Sequence, residues 1–408
     1  MIPELLLPAG NPEKLEFAVL YGADAVYFSG KRFGMRSAAD NFSVGEIYDA
    51  VKYLHSRGKK GYLTVNIMPH WYEYGDIEKY FEEIKDSGID ALIIADVGVL
   101  DLAKKVMPST AIHISTQAGA VSHADCNYWE RAGASRVVLA RELSIEEIKN
   151  IKKRVSSALE LECFIHGSMC VSWSGRCLLS NHFTGRDGNR GFCAQPCRWE
   201  YNLYELSEGK RPDLRIPIEQ TDLGTFIMSS KDMCMIEHIP ELMESGISSF
   251  KIEGRMKSAY YAAVCANTYR TAMDEYSRDP GKYVFNELWK RELESVTHRE
   301  YCSGYYFSNP MIDAQTVTVP GYMVEKAFLA TIESYDKVSG RATLIQRNKT
   351  FESEVVEFLT PGRTGVRFTL TDMRDSDGEP IESSPHPRMR YSVKAPFDMR
   401  AGDIIRSV

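Results

Sequence analysis

The sequence predicts an α/β fold: a (β/α)8 TIM-like barrel with a cysteine-rich insertion after its seventh strand, followed by a small all-β barrel domain. Three observations carry this. From residue 4 to about 275, short apolar and β-branched runs alternate with amphipathic helical stretches, the pattern of repeated βα units. One connection, residues 167–235, breaks that rhythm and concentrates cysteine, glycine and arginine. Beyond residue 316 the period changes to two, with turn sequences such as VSGR and DSDGEP.

Eight strands are read in order: ELLLP, DAVYFS (24–29), KGYLTVN (60–66), ALIIAD (91–96), AIHISTQ (111–117), RVVLAR (136–141), LELECFIH (159–166) and SFKIEG (249–254). Helical patterns fall between them, as in SVGEIYDAVKYLHSRG, where Ser43 is placed to cap the N-terminus and Gly58 to stop the helix. Eight such units over about 250 residues fit a closed barrel. The organisation expected is therefore a barrel over 1–275 with the insertion 167–235, a connecting segment over 276–315 and a β-domain over 316–408. Loops as long as the insertion are uncommon unless functional, and loops that follow barrel strands build the active face.

With 408 residues, 44% of them hydrophobic, the chain exceeds what one core usually holds. The opening MIPELLLPAGNPEKL lacks a basic leader and soon meets Pro8 and Gly10, so no secretory signal is expected. No window approaches the ~18 uninterrupted apolar residues of a membrane span. A cytoplasmic protein without a membrane partner is expected, and in that reducing compartment nine cysteines point to metal or redox chemistry before disulfides. The formal charge of −7 gives no general attraction to nucleic acid. Local basic clusters remain: Lys31, Arg32 and Arg36 after the second strand, and Arg176, Arg186, Arg190 and Arg198 around the cysteines.

Strand alternation sorts the polar residues onto one face. His113, Ser115 and Gln117 share it, as do Glu160, Glu162 and His166, and Lys251 and Glu253. A polar barrel interior follows, and because an unpaired buried charge is costly, Glu162 and Lys251 are expected to pair. Residues at the C-terminal strand ends line the pocket of barrel enzymes. Here they are His166, Glu253, Gln117 and Asn66, taken as catalytic candidates, with Arg141, Arg255, Tyr27 and Asp96 taken as substrate-binding candidates. The planar guanidinium groups of Arg141 and Arg255 suit a carboxylate or phosphate.

Cys170, Cys177, Cys193 and Cys197 form the pattern C-x6-C-x15-C-x3-C. Only Cys193 to Cys197 has the close spacing of a zinc knuckle, and four irregularly spaced thiolates suit an iron-sulfur cluster at least as well. A catalytic thiol near His166 or His182 would leave the other cysteines unexplained. Spacing alone does not choose the metal. Cys234 is a weaker fifth candidate, while Cys126, Cys163, Cys265 and Cys302 read as small hydrophobes. H-E-x-x-H, G-x-S-x-G, Walker A and G-x-G-x-x-G motifs are all absent.

The segment ECFIHGSMCVSWSGRCLLS, residues 162–180, closely resembles the signature of the collagenase-like peptidases, family thirty-two of the unknown-mechanism class. LLLPAGNPEKLEFAVLYGADAVYFSG, ISTQAGA, RVVLARELSIEEI and SSFKIEGRMKS extend the likeness over essentially the whole chain. The resemblance implies oxygen-independent hydroxylation, and GFCAQPCRWEY with the added β-domain looks most like the branch that makes 5-hydroxyuridine at the tRNA wobble position, with prephenate as cosubstrate. It implies a [4Fe-4S] cluster on Cys170, Cys177, Cys193 and Cys197, with zinc the less favoured metal, tRNA as the macromolecular partner and a paralogue as a possible heterodimer partner. Trp173 and Trp199 are then candidates for stacking on bases. Two other readings stand beside it: the peptidase of the family's name, and a noncatalytic RNA-binding protein with a structural metal.

Overall fold

The computed structural model describes residues 2–36, 39–170, 172–173, 176–199, 230–307 and 322–408, with the backbone of four short strands between 207 and 225. The expected start of the β-domain at residue 316 lies outside them. By contact density the chain divides into two compact units. One comprises Met1–Leu15, Asp24–Met256 and His298–Tyr322; the other comprises Glu16–Ala23, Lys257–Thr297 and Met323–Val408.

The first unit is a closed parallel barrel. Its strands are β1 (Glu4–Pro8), β2 (Ala25–Ser29), β3 (Lys60–Val65), β4 (Ala91–Ile94), β5 (Ala111–Ile114), β6 (Arg136–Val138) and β7 (Glu160–Ser168). The returning strand β8 (Asp232–Cys234) precedes the eighth barrel strand, β9 (Ser249–Ile252). Closure is explicit in the register: β9 pairs in parallel with both β1 (Leu6 opposite Lys251) and β7 (Ser249 opposite Glu162). Between the strands run α1 (Pro12–Leu20), α2 (Val44–His55), α3 (Tyr74–Ile84), α4 (Val97–Val106), α5 (His123–Arg131), α6 (Ile145–Lys152) and, before β9, α8 (Ile239–Met243), α7 being the short helix Leu179–Thr184 of the insertion. Ser43, Ser122 and Ser144 start α2, α5 and α6 through reciprocal capping boxes with Glu46, Asp125 and Glu147. Gly58, at φ 66°, turns the chain after α2, a conformation that costs glycine little.

The barrel interior mixes apolar and polar side chains, where alternation led to a polar one. Leu6, Ala25, Tyr27, Tyr62, Ala91 and Ile93 form an apolar cluster on β1 to β4, with Ala111 of β5 packed against it. The polar part is a network. Arg136 donates through Nη1 to Glu4 at 2.7 Å and Glu162 at 3.0 Å, and through Nε to Glu160 at 2.7 Å. Lys251 Nζ donates to Glu162 Oε1 at 2.7 Å, the pair foreseen from the sequence, and Tyr62 and Ser249 donate to Glu4 at 2.6 and 2.9 Å.

Strand β7 runs two residues past the stretch read from the sequence, and β8 returns antiparallel against that extension, with Asp232 opposite Ser168 and Cys234 opposite His166. A further strand, β10 (Tyr301–Cys302), pairs in parallel with β8. The buried Arg299 fixes this flap by donating from Nε and Nη2 to Asp232 Oδ1 at 2.9 and 2.6 Å.

In the second unit, α9 (Ala259–Arg278) and α10 (Glu287–Glu294) accompany seven antiparallel strands: β11 (Phe328–Asp336), β12 (Arg341–Gln346), β13 (Val355–Leu359), β14 (Val366–Thr369), β15 (Thr371–Arg374), β16 (Arg390–Lys394) and β17 (Ile404–Ser407). The sheet order is β14-β13-β17-β11-β12-β16-β15. Its two edge strands are consecutive in sequence and joined by Leu370 alone, so the sheet curls into a half-barrel. Leu344, Val356, Tyr391, Val393 and Ile405 fill it. Buried Arg406 ties sheet to helices, donating to Glu292 at 2.7 Å through both Nη atoms and to Glu357 at 3.0 Å.

Arg136 neutralises three carboxylates on two strands, β1 and β7, and Glu162 is fully buried. Removing one partner of such a set strands the others, at about 3–5 kcal/mol. Arg136→Met is therefore expected to lower full-chain stability by about that amount in urea unfolding, whereas Arg390→Met, which breaks an exposed pair with Glu333, changes it by less than about 1 kcal/mol.

Candidate functional site

The C-terminal ends of the barrel strands carry most of the residues singled out from the sequence. Tyr27 is buried on β2 and its hydroxyl donates to the Ile252 carbonyl at 3.0 Å, crossing to β9. Burial raises this phenol far above its ordinary value; Glu253 acts in the same direction, and Arg255, Arg141 and Arg36 oppose it. The tyrosine thus stays protonated and marks where these four charges meet. Arg255 is buried and donates to Thr64 Oγ1 at 3.2 Å, and its desolvation pushes the guanidinium down to about 10. Arg141 lies over the Phe164 ring at 3.9 Å, a cation–π contact that holds it while leaving its edge N–H groups available. Arg36 Nη2 is 3.9 Å from Glu253 Oε1. Three guanidinium groups around one carboxylate leave the mouth with an excess of positive charge, suited to an anion.

Arg36 was not among the site residues read from the sequence. It lies in the β2–α2 loop at φ 85°, where no period applies, and the only signal was the Lys31, Arg32, Arg36 cluster. Asn66 and Gln117 meet through Ser115: Asn66 Nδ2 donates to Ser115 Oγ at 3.2 Å, and the Gln117 backbone N–H donates to the same oxygen at 3.4 Å. Asn66 Oδ1 also accepts from Met35 N–H, binding the β2–α2 loop to β3. Gln117 lies on a 3-10 turn, Thr116–Ala118, and not on the strand, because β5 ends at Ile114 and Ser115 caps the turn. Its Oε1 is buried with no hydrogen-bond partner among the described residues, an acceptor directed into the protein that a ligand group can satisfy. Asp96 has local work: it caps α4 through Val99 N–H at 3.0 Å and accepts the Tyr74 hydroxyl at 2.8 Å. His166 is buried near the end of β7, its ring 5.3 Å from that of Tyr301. Glu253 N–H donates to the His166 carbonyl at 2.9 Å, so β7 and β9 stay together to their ends. Gly167 permits this approach, since a Cβ there would lie 2.4 Å from the Glu253 carbonyl oxygen.

The insertion begins where β7 stops and lies against the loops of this same barrel face. Arg176 Nε donates to the Gln117 carbonyl at 2.8 Å, and Arg190 grips Glu73, after β3, with two bonds of 2.6 Å. That grip holds the Glu73 carboxyl below the usual carboxylate range. Within the loop, three of the four clustered cysteines accept a backbone N–H from two residues on: Ser172 to Cys170 at 3.5 Å, Leu179 to Cys177 at 3.4 Å and Gln195 to Cys193 at 3.4 Å. Such bonds fix each sulfur within its own turn. Burial raises the Cys197 thiol; Cys170, Cys193 and Cys177 add to the effect, which puts all four sulfurs in one electrostatic neighbourhood. Among the described residues, no group of three His, Cys, Asp or Glu side chains converges tightly enough to enclose a single ion. The donor set therefore fits a thiolate-ligated group in chemistry and neighbourhood, not in a finished coordination shell. Cys234, on β8, faces His166 in register and is separate from the four; Cys126, Cys163 and Cys265 are buried.

Large side chains crowd the surface of these loops. Trp173 is 56% exposed and Trp199 39%, the latter anchored by its indole N–H on the Ala194 carbonyl at 3.2 Å. Trp71, which sequence reading passed over, is 86% exposed beside Tyr72, whose ring stacks on His70 at 5.5 Å. Among the described residues no helix is long and apolar enough to cross a membrane.

Residues 10–316 match Peptidase family U32, and residues 325–406 match the Peptidase family U32 C-terminal domain. The chain is 38% identical over 385 residues to tRNA hydroxylation protein P1 of Bacillus subtilis (strain 168), spanning 94% of this chain and 90% of that one. It is 33% identical over 435 residues to tRNA hydroxylation protein P of Escherichia coli (strain K12), spanning 97% and 94%. Identity to the 23S rRNA 5-hydroxycytidine C2501 synthase of the same strain is 34% over 278 residues, 68% of this chain and 40% of that one. With both of its units matched, this chain belongs to Peptidase family U32.

Proposed function

We propose that this chain is an RNA-modifying enzyme that hydroxylates tRNA, converting the wobble uridine to 5-hydroxyuridine without molecular oxygen and with prephenate as cosubstrate. The observation that carries the reading is the cysteine loop held over the strand ends of the barrel by Arg190 and Arg176, in a chain similar along most of its length to proteins named for tRNA hydroxylation. Cys170, Cys177, Cys193 and Cys197 would hold a [4Fe-4S] cluster, which supplies one-electron chemistry when bound. The chain's own groups bind and orient. Arg36, Arg141 and Arg255 supply the positive charge that a dicarboxylate such as prephenate needs, and the protonated Tyr27 between them keeps that surface free of a further negative charge. Gln117 leaves a buried amide oxygen without a partner among the described residues, the kind of acceptor that can read the edge of a nucleobase taken out of its stack. Exposed Trp71, Tyr72 and Trp173 offer faces on which neighbouring bases can stack.

Nucleoside mass spectrometry on tRNA is the primary test. A strain lacking this chain and any paralogue is expected to lose 5-hydroxyuridine and to regain it with the wild-type gene; unchanged 5-hydroxyuridine in that strain would sink the proposal. Protein purified without air is expected to carry about four irons per chain, and Cys193→Ala to lose both the iron and the complementation. Arg141→Ala is expected to raise the prephenate concentration for half-maximal rate about tenfold or more, the size of one charge-assisted bond, with little change in the KM for tRNA. Trp71→Ala should do the reverse, raising the KM for tRNA by about fivefold to a hundredfold, since a stacked base contributes about 1–3 kcal/mol.

A further inference from the structure

The turn Gly188–Arg190 touches three things at once. Gly188 packs against Cys193, where an added Cβ would lie 3.4 Å from the cysteine Cβ and 3.7 Å from its sulfur. Asn189 clamps Cys177 by its backbone, Oδ1 accepting from Cys177 N–H at 3.2 Å and Nδ2 donating to the Cys177 carbonyl at 3.0 Å. Arg190 reaches out of the loop to Glu73, meeting both carboxylate oxygens at 2.6 Å, and also donates to the Met68 carbonyl at 3.1 Å. Glu73 is itself fixed, its Oε2 accepting the His70 N–H at 2.7 Å. The Arg190 and Glu73 side chains are only 20% and 15% exposed, so this is no solvated surface pair of the kind that contributes little. Bidentate geometry fixes direction as well as distance.

We infer that Asn189 and the Arg190–Glu73 pair are positioning residues, transmitting the place of the barrel's β3–α3 loop to the thiols of Cys177 and Cys193 and so holding the cysteine loop over the mouth. The role in turnover rests on the hydroxylase reading above; the mechanical role does not. Among the described residues of 170–199, regular structure is confined to the short helix α7 and single turns. Its reference to the barrel therefore has to come from side-chain bonds, and among these Arg190 and Asn189 form one continuous path from a barrel loop to a cysteine backbone, beside the bond of Arg176 to the Gln117 carbonyl.

Hydrogen exchange followed by peptide mass spectrometry on the full chain, purified without air, tests the mechanical claim independently of activity. In Glu73→Gln and in Asn189→Ala, amides of residues 176–199 are expected to exchange about tenfold faster or more, with those of the barrel strands unchanged. The charge-swapped double variant Glu73→Arg with Arg190→Glu is expected to recover much of the protection that Glu73→Arg or Arg190→Glu alone loses. Turnover of tRNA by Glu73→Gln should then fall in kcat with its KM for tRNA nearly unchanged, which simple weakening of RNA binding would not produce. If exchange in 176–199 stays at the wild-type rate in both single variants, or if the barrel strands lose protection equally, the inference fails. Faster exchange with an unaltered kcat overturns the catalytic role of the positioning. Loss of the hydroxylase reading itself would be seen separately, in wild-type cells that owe no 5-hydroxyuridine to this chain.

Discussion

Everything at the mouth of the barrel depends on a fully buried carboxylate, Glu162, being neutralised from two sides. Lys251 meets it from β9 and Arg136 from β6, and Arg136 then reaches Glu4 on β1. These are the strands at which the barrel closes. A slip of one residue in any of them would turn its polar side chain toward the helices and leave the others as isolated charges in low dielectric, which costs far more than the misaligned backbone bonds alone. Burial pushes the Lys251 ammonium down while Glu162 opposes it, so the lysine depends on that carboxylate for its charge. The network thus specifies register, and register sets which side chains arrive at the top.

The division of the interior follows from the same constraint. Charges gathered on β6, β7 and β9 need every hydrogen-bonding group within reach, so Tyr62 from β3 turns its hydroxyl to Glu4 and His113 sets its ring against that of Tyr62 at 4.7 Å. Burial holds His113 well below the usual imidazole range, which adds no further positive charge to the set. The apolar inward residues beside them, Leu6, Ala25, Ala91 and Ile93, close off water, lowering the local dielectric and strengthening the ion pairs. Above this floor the charges change sign of purpose: Arg36, Arg141 and Arg255 outnumber Glu253 and stay partly uncompensated within the barrel. The lower layer gathers three carboxylates around two cations, whereas the upper gathers three guanidinium groups and one carboxylate around Tyr27. The two layers differ in the sign of their surplus.

Alternation made much of this legible. Order and type of the eight barrel strands, the inward face of Glu162 and Lys251, and the arrival of the cysteine segment at the C-terminal strand ends could all be read from period and spacing. The misses have physical causes. Alternation stops where the backbone leaves the strand, so Gln117, assigned to β5 by parity, sits on a turn capped by Ser115, and Asp96 becomes a helix cap. Arg136 opens its strand, where a charge resembles a solvated end, and only barrel closure brings Glu4 to it across 132 residues. Arg36 depends on a positive φ that arginine rarely adopts, and Glu73 meets Arg190 across 117 residues between two irregular loops. None of these leaves a local signature.

The cysteine loop shows why a metal-binding segment needs an external frame. Four thiolates close together repel one another, and burial adds to the cost, as the raised Cys197 thiol records. Backbone N–H groups are directed at the Cys170, Cys177 and Cys193 sulfurs, fixed dipoles that orient each sulfur within its turn. Such dipoles work only while the turns that aim them keep their shape. A turn of three residues has too few bonds of its own to do so against thiolate repulsion, since each residue fixed costs about 1–2 kcal/mol of backbone entropy. The barrel, whose register is already set by its buried charges, is the rigid body to which the turns can be tied, and the bonds from Arg190 to Glu73 and from Arg176 to the Gln117 carbonyl make that tie on two separate loops. Two points of attachment fix the loop's tilt as well as its position, which a single one would leave free.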